Sequence, residues 1–502
     1  MGVENTTQKQ REGKMVLKTL SPLTRIEGHL RVETEVKDRR VVSARCRGEM
    51  FRGFENLLVG RRPLDAQRIT QRICGVCHEV HGVASARALA SLYQIEPPPN
   101  GKILHDLVLA IHMAEDHLLH FYHLSLPDYI DFAAALSYRG RDPFLKNLRE
   151  WIKLKKPWLY TRKVPGDYLD EPEEALAFIA HYAEALTKVG RGAQALAVLG
   201  GKAPFVHAIF PGGLTCELTP EKLGQVSVIV DELYRFVLDS YLPDVRRLAG
   251  FYREYFHIGS GYRNLISYGG FSSLGRPLSR PGVLVDFNEG PFFPEKITEH
   301  VAHSYYRGEA EGFTRGQTQP DYDKPGAYSW IKAPRYDGHP METGPLSRVW
   351  FSDRGRELLL QELAALGQGQ EAIFSTMGRH LARAIETRLL LEFANQALEA
   401  LDLNEPTILS FDPEMPVTGE GLGLSNAARG ELLHYVEAHK GRITRYQCVV
   451  PSTWNFSPRD EKGLPGPVEK ALEGTPVRFS EGLIEVGRVI RSYDPCLACS
   501  VH

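Results

Sequence analysis

Four of the seven cysteines fall into two pairs with metal-binding spacing, Cys74-Gly-Val-Cys77 and Cys496-Leu-Ala-Cys499. Two CxxC pairs supply four thiolates, enough to close a tetrahedral site. The chemistry open to them is a structural zinc pin, an iron–sulfur cluster or another soft-metal centre. The pairs lie 419 positions apart, whereas zinc pins usually staple short segments. Histidines accompany both pairs. His81 follows Cys77 by one helical turn, so on a helix Cys74, Cys77 and His81 share a face and the imidazole can hydrogen-bond a metal-bound sulfur. His502 is the last residue of the sequence. A cysteine site and an imidazole in the last few residues predict an end that is buried and tied by metal, where a terminus otherwise frays. Cys46, Cys216 and Cys448 stand alone, and the odd count in so long a chain excludes a disulfide scaffold.

The elements that must position these residues follow from periodicity. Leu30, Val32, Thr34 and Val36 alternate with charged residues, the period of a half-buried strand, and Val41 to Cys46 completes a hairpin. From about Leu64 the period becomes helical. Long helical stretches are predicted over Ile103 to Leu124, over Glu221 to Phe256 with an interruption near Pro243, and over Glu371 to Leu401. The expected fold is α+β and predominantly helical: a core of long packed helices, an N-terminal β-hairpin or sheet region, and an extended loop-rich excursion. One unit over 1–502 is expected. Its strand-rich segment covers about 15–65, its helical core 66–402 with the excursion at 308–348, and a segment at 403–502 closes the metal site. The excursion is rich in Gly, Pro, Tyr and Asp, unlike a flexible linker, and reads as ordered and packed.

Composition narrows the function. The 502 residues carry 60 Lys+Arg against 62 Asp+Glu, a formal charge of −2, and 43% are hydrophobic. This is a soluble globular composition without the basic field that nucleic acid or acidic lipid requires. No stretch reaches the roughly 18 apolar residues of a membrane span. Met1 to Lys14 is polar and has no apolar signal core, so export is expected to depend on a partner.

With these residues in view, the chain resembles the large subunit of the [NiFe] hydrogenases over essentially its full length. The motifs that carry the resemblance are Arg25-Ile-Glu-Gly-His29, Phe51-Arg-Gly-Phe-Glu55, the segments Arg72 to His81 and Asp116 to His123, Tyr328 to Tyr336, Tyr446 to Asn455, and Asp494 to His502. A subunit of the quinone-reducing respiratory complex is similar in fold but lacks the four cysteines.

The resemblance implies a nickel ion held by Cys74, Cys77, Cys496 and Cys499. Cys77 and Cys499 would bridge to an iron carrying carbon monoxide and two cyanides. It implies reversible heterolytic cleavage of dihydrogen, with the Cys496 thiolate as base and Glu27 as the carboxylate that relays its proton. Arg429, Asp116 and Asp494 match the charged residues over the open metal position, and Ser452 matches the hydroxyl that bonds an iron cyanide. His81 is implied outside the ligand set, beside a sulfur. Glu55, His502 and the backbone carbonyl of Cys448 match the ligands of a magnesium ion. Ala428 stands where relatives commonly carry proline beside a cyanide pocket. His117, His120 and His123 look like a metal stripe, but the family ligates nothing there, so they are read as packed helix residues. Cys46 and Cys216 are read as apolar filler.

With no cysteine set left for an electron-transfer cluster, electrons are expected to leave through an iron–sulfur small subunit. A membrane cytochrome or quinone-linked acceptor beyond it, a higher oligomer of the heterodimer, and a membrane-associated site on the periplasmic or outer face by export with the small subunit complete the expectation; a cytoplasmic site is the other option. Many relatives lose a C-terminal extension after nickel insertion, so an end at His502 reads either as a mature form or as a gene without the extension. The competing reading is a zinc-pinned structural subunit of a respiratory quinone-reductase-type complex.

Overall fold

The computed structural model describes residues 15–155, 164–412, 415–479 and 481–502. The polar stretch Met1 to Lys14 lies outside the described residues.

Helix accounts for 45% and sheet for 19% of the structure. The α+β class holds, but "predominantly helical" overstates it: among the described residues the strands form four three-stranded sheets and one two-stranded sheet. The predicted N-terminal hairpin is present as Leu30–Lys37 and Arg40–Gly48, with Val16–Leu20 added to its open edge. Leu30, Val32, Thr34 and Val36 all point inward. Burying one such aliphatic side chain contributes about 1.5–3 kcal/mol.

The three long helical stretches are found with small shifts. Pro99–Leu119 runs on into a π-helical turn at His120–Ser125. Pro220–Phe236 is broken by a π-helical turn at Val237–Tyr241 before Leu242–Phe251, whose second residue is Pro243. The proline has no amide hydrogen to donate to the preceding turn, which places the break where the sequence reading expects it. Thr376–Ala400 is buried around nearly its whole circumference and packs on Pro99–Leu119. A further long helix, Pro172–Gly200, covers the same bundle.

Two elements escaped the periodicity reading. Gly419–Ala427, Gly430–His439 and Arg442–Val449 form an antiparallel sheet that lies on the helix His78–Leu92. Gly421 and Gly423 permit this contact: a Cβ at either would meet the carbonyl oxygen of Ala88 or Ala84 at 2.1 Å. Leu265–Gly270 and Ser279–Val285 build another sheet nearby. In the loop-rich stretch, Ala333–Tyr336 pairs with Ile297–His300, and residues 328–336 are buried throughout.

Candidate metal centre

The first cysteine pair lies in the turn that leads into the helix His78–Leu92. Cys74 is extended and Cys77 sits at the cap position before the helix, so the two are not on a helical face with His81 as expected. The Cys74 sulfur accepts from the backbone N–H groups of Val76 and Cys77, each at 3.2 Å. The second pair follows Ile484–Ser492, where Asp494 turns the chain with φ 54°. Asp is among the few residues that adopt this left-handed conformation readily.

The N-terminal motif joins the halves. Glu27 N–H donates to the Pro495 carbonyl at 3.3 Å, and Leu497 N–H donates to the Glu27 carbonyl at 2.8 Å. Gly28 makes this approach possible: with φ 81°, it sits where a Cβ would lie 2.6 Å from the Ala498 nitrogen.

All four cysteines are buried and carry free thiols. Their sulfurs lie 3.4 Å (Cys74–Cys496), 3.9 Å (Cys77–Cys496), 3.1 Å (Cys77–Cys499) and 3.0 Å (Cys496–Cys499) apart. Four sulfurs about 2.3 Å from a shared ion would be separated by about 3.8 Å, so the donor set fits a soft metal after a small expansion. His81 is buried, and its Nε2 lies 3.4 Å from the sulfur of Cys499, across from its own cysteine pair.

Glu27 Oε2 accepts from Ala498 N–H at 3.0 Å and faces the Cys496 sulfur at 3.4 Å. Burial raises this carboxyl above the usual range, and Cys74 adds to the rise. Arg25 does not pair with Glu27. It bonds Asp128 and the Leu124 carbonyl.

Arg429 stands at the two-residue turn between Gly419–Ala427 and Gly430–His439. Its Nη1 lies 3.3 Å from Asp116 Oδ2 and its Nε lies 3.1 Å from Asp494 Oδ1. The second contact is an ion pair whose angle is too bent for a hydrogen bond, which leaves both Asp494 oxygens and Arg429 Nε without one. Burial disfavours charge on Arg429, and the two carboxylates override it. Asp116 is pushed up to about 6 by burial, against the pull of Arg429. Arg429, Ala427 and Ser452 line a small cavity beside Cys77, Cys496 and Cys499; Ala428 is fully buried and is not among its lining residues. Ser452 Oγ accepts from Cys496 N–H at 2.9 Å.

Glu55, Cys448 and His502 form the second group able to hold an ion among the described residues. His502 Nε2 lies 3.1 Å from Glu55 Oε1, which also accepts from Cys448 N–H at 2.8 Å. Lys332, which the motif reading quoted without assigning a role, sits among Glu55 Oε2 at 3.3 Å, Glu299 Oε2 at 3.4 Å and Gln447 Oε1 at 3.0 Å. Burial alone would raise the Glu55 carboxyl, but Lys332 and His502 hold it well below the usual range. The expected end at His502 is buried.

His117 pairs with Glu386 at 2.9 Å, His120 with the Arg491 carbonyl at 2.6 Å, and the His123 ring packs on Tyr182. Cys46 and Cys216 lie in apolar clusters. Sequence reasoning missed Glu299 and His434, which stand in no repeating or ligand-like spacing, and gave no role to Lys332 and Tyr446 within the motifs that contain them.

Fold and site together define a metal-binding protein whose buried four-thiolate site joins distant segments of the chain. Residues 52–502 match the family model described as nickel-dependent hydrogenase. The chain is 36% identical to the periplasmic [NiFeSe] hydrogenase large subunit of Desulfomicrobium baculatum, over 98% of this chain and 95% of that one. It is 33% identical to the uptake hydrogenase large subunit of Bradyrhizobium diazoefficiens, over 100% and 98%. The solved Ni-Fe-Se hydrogenase of D. vulgaris Hildenborough superimposes with a TM-score of 0.88 at 36% identity, covering 97% of this chain and all of that one. The chain belongs to the nickel-dependent hydrogenase family, as a large subunit. Selenium appears in several relatives' names, whereas this sequence has cysteine at all four sulfur positions.

Proposed function

We propose that this hydrogenase subunit cleaves dihydrogen reversibly and heterolytically, at a nickel–iron centre that Cys74, Cys77, Cys496 and Cys499 would hold, Cys77 and Cys499 being the two that the family resemblance assigns to the iron as well. The observation that carries the reading is the closure of four buried sulfurs around one point, with a carboxylate at one of them. When bound, the centre, its iron carrying carbon monoxide and two cyanides, supplies soft electron-rich metals that polarise dihydrogen and accept its electrons.

The chain's own residues handle the proton and the geometry. The Cys496 sulfur takes the proton and Glu27 Oε2 receives it at 3.4 Å. Arg429 holds a fixed positive charge over the cavity, and Asp116 and Asp494 compensate its burial. Ser452 accepts from Cys496 N–H, which leaves its hydroxyl hydrogen for an acceptor in the cavity, the role of bonding a cyanide. Glu55, His502 and the Cys448 carbonyl would hold magnesium, a hard cation that favours the two oxygen donors and accepts the imidazole as the one nitrogen ligand of the set. The carboxylate held in its charged form supports this role.

Electrons pass to an iron–sulfur small subunit and on to a membrane cytochrome or quinone-linked acceptor. The heterodimer assembles further and works at the periplasmic or outer face of the membrane. A relative named periplasmic supports that placement, and no described helix is long and apolar enough to cross a membrane.

Elemental analysis and infrared spectroscopy of the purified enzyme test the reading. Nickel and iron in comparable amounts, with bands from iron-bound carbon monoxide and cyanide, are expected. Zinc alone without such bands would return the chain to the pinned structural subunit.

A further inference from the structure

The near-neutral balance of the whole chain hides one strongly basic stretch. Residues 139–155 carry six basic side chains against two acidic ones, whereas the chain as a whole has a formal charge of −2. Most of this stretch is the helix Pro143–Lys155. Ile152 is buried, and Leu145 and Leu148 pack against the core, on the side that meets the helix Pro172–Gly200. The outward side carries apolar groups as well: Phe144, Trp151 and Leu154 are 62%, 39% and 72% exposed.

A helix turns about 100° per residue, which puts these three side chains on one stripe, with Lys155 along one border and Lys146 and Lys153 along the other. Arg139, Arg141, Lys146, Lys153 and Lys155 are all exposed, and among the described residues none of them forms an ion pair. Only Arg149 is paired, with Glu150 at 2.6 Å. Exposed apolar side chains scattered singly are ordinary, but a stripe of them bordered by uncompensated cations marks a contact surface.

We propose that Pro143–Lys155 is a membrane-surface helix that lies flat on anionic phospholipid: Phe144, Trp151 and Leu154 enter the headgroup layer, and the cations around them meet lipid phosphates. A bilayer interface suits this composition. Tryptophan is favoured at that depth, a lysine keeps its ammonium at the level of the phosphates while its stem lies among apolar groups, and each basic residue adds to the attraction. An acidic protein would supply the charge but would also need a shaped recess for each apolar group. At 13 residues the helix is too short to cross a bilayer, so the contact is peripheral. The inference rests on the membrane-face placement proposed above and adds to it a contact made by this chain itself.

The test is co-sedimentation of the holoenzyme, with its small subunit, on phosphatidylcholine vesicles with and without phosphatidylglycerol. Binding is expected only with phosphatidylglycerol and should weaken as salt is raised. Lys153→Glu with Lys155→Glu should reduce it at least about tenfold. Phe144→Ser with Leu154→Ser should reduce it several-fold while keeping the salt dependence. Both double variants should retain native hydrogen oxidation with a soluble dye, which shows that they have folded; should one lose it, the other decides. Absence of binding, equal binding to neutral vesicles, or native binding by a folded variant overturns the proposal, the last by assigning the lipid contact to the small subunit. Enzyme that leaves vesicles alone but holds to cell membranes until these are treated with protease also overturns it, in favour of an acidic protein. Vesicle binding as expected, with the enzyme recovered away from the membranes of fractionated cells, overturns the membrane-face placement and leaves the lipid affinity of the helix established.

Discussion

Glu27 and Cys496 face each other through both backbone and side chain: they form an isolated parallel β-bridge, with Glu27 bonded to the backbone of Pro495 and Leu497, and the Glu27 carboxylate faces the Cys496 sulfur at 3.4 Å. The same carboxylate is anchored by Ala498 N–H. A group held at both ends of its contact is oriented before any proton moves.

Glu27→Gln should therefore keep the Ala498 bond and the metal centre, yet lose proton exchange. Infrared bands should persist while net turnover falls at least about 10²-fold. Spin-isomer conversion of dihydrogen should survive better than isotope exchange with solvent. Near-native turnover at full metal content would assign the proton route elsewhere, with Asp116 and Arg429 the next place to look.

Ser at Cys74, Cys77, Cys496 or Cys499 should abolish nickel loading as well as activity. A neutral hydroxyl is a poor ligand for a soft metal. Metal analysis of the four variants checks this, and substantial nickel in any one removes that residue from the ligand set.

Arg429→Lys keeps the charge but cannot face Asp116 and Asp494 together from one planar fork. Turnover is expected to drop about 10²-fold or more with nickel and iron unchanged. Equal turnover would mean that charge alone suffices.

Glu55→Gln should release one magnesium per chain and loosen the His502 end. Elemental analysis reads the first effect and protease susceptibility of the C-terminal residues the second. Magnesium retained at the native level would point to other ligands.

Glu469 lies away from the centre, accepting from Cys46 N–H and the Tyr328 hydroxyl, each at 2.9 Å. Burial pushes it up to about 7. Between its unfolded and folded values the native state holds a proton that the unfolded chain has lost, so stability falls as pH rises through that window. The loss reaches about 3 kcal/mol by about pH 8. Glu469→Gln should flatten this dependence, visible as a thermal midpoint that declines less between about pH 5 and about pH 8 than that of the native enzyme.

The site was legible where chemistry dictates residue type. Four thiolates, the Glu27 carboxylate beside them and an arginine with two carboxylates are picked out by motif, and the fold brings them together. The sheet at 419–449 did not, because Gly421 and Gly423 lower strand propensity in order to let a helix backbone come close, and Ala428-Arg429 is not a usual hairpin turn sequence. His81 was expected to share a helical face with Cys74 and Cys77 beside a metal-bound sulfur; the sulfur it faces is that of Cys499, at 3.4 Å. The helix begins only at His78, so spacing along a helix did not apply to the cysteines before it. His434 and Tyr446 are single polar residues on inward-facing strand positions, which sequence alone cannot tell from ordinary core polar groups.

The 419 positions between the cysteine pairs also set a timetable. At roughly 5–20 residues per second, a ribosome needs on the order of 20–80 s to make the second pair after the first has emerged. Throughout that interval Cys74 and Cys77 are a dithiol without its partner pair, open to oxidation and to whichever ion binds thiolates most avidly, copper before nickel. Fidelity of loading is thus a matter of sequence in time: a complete four-thiolate site exists only once Cys496 and Cys499 have been made.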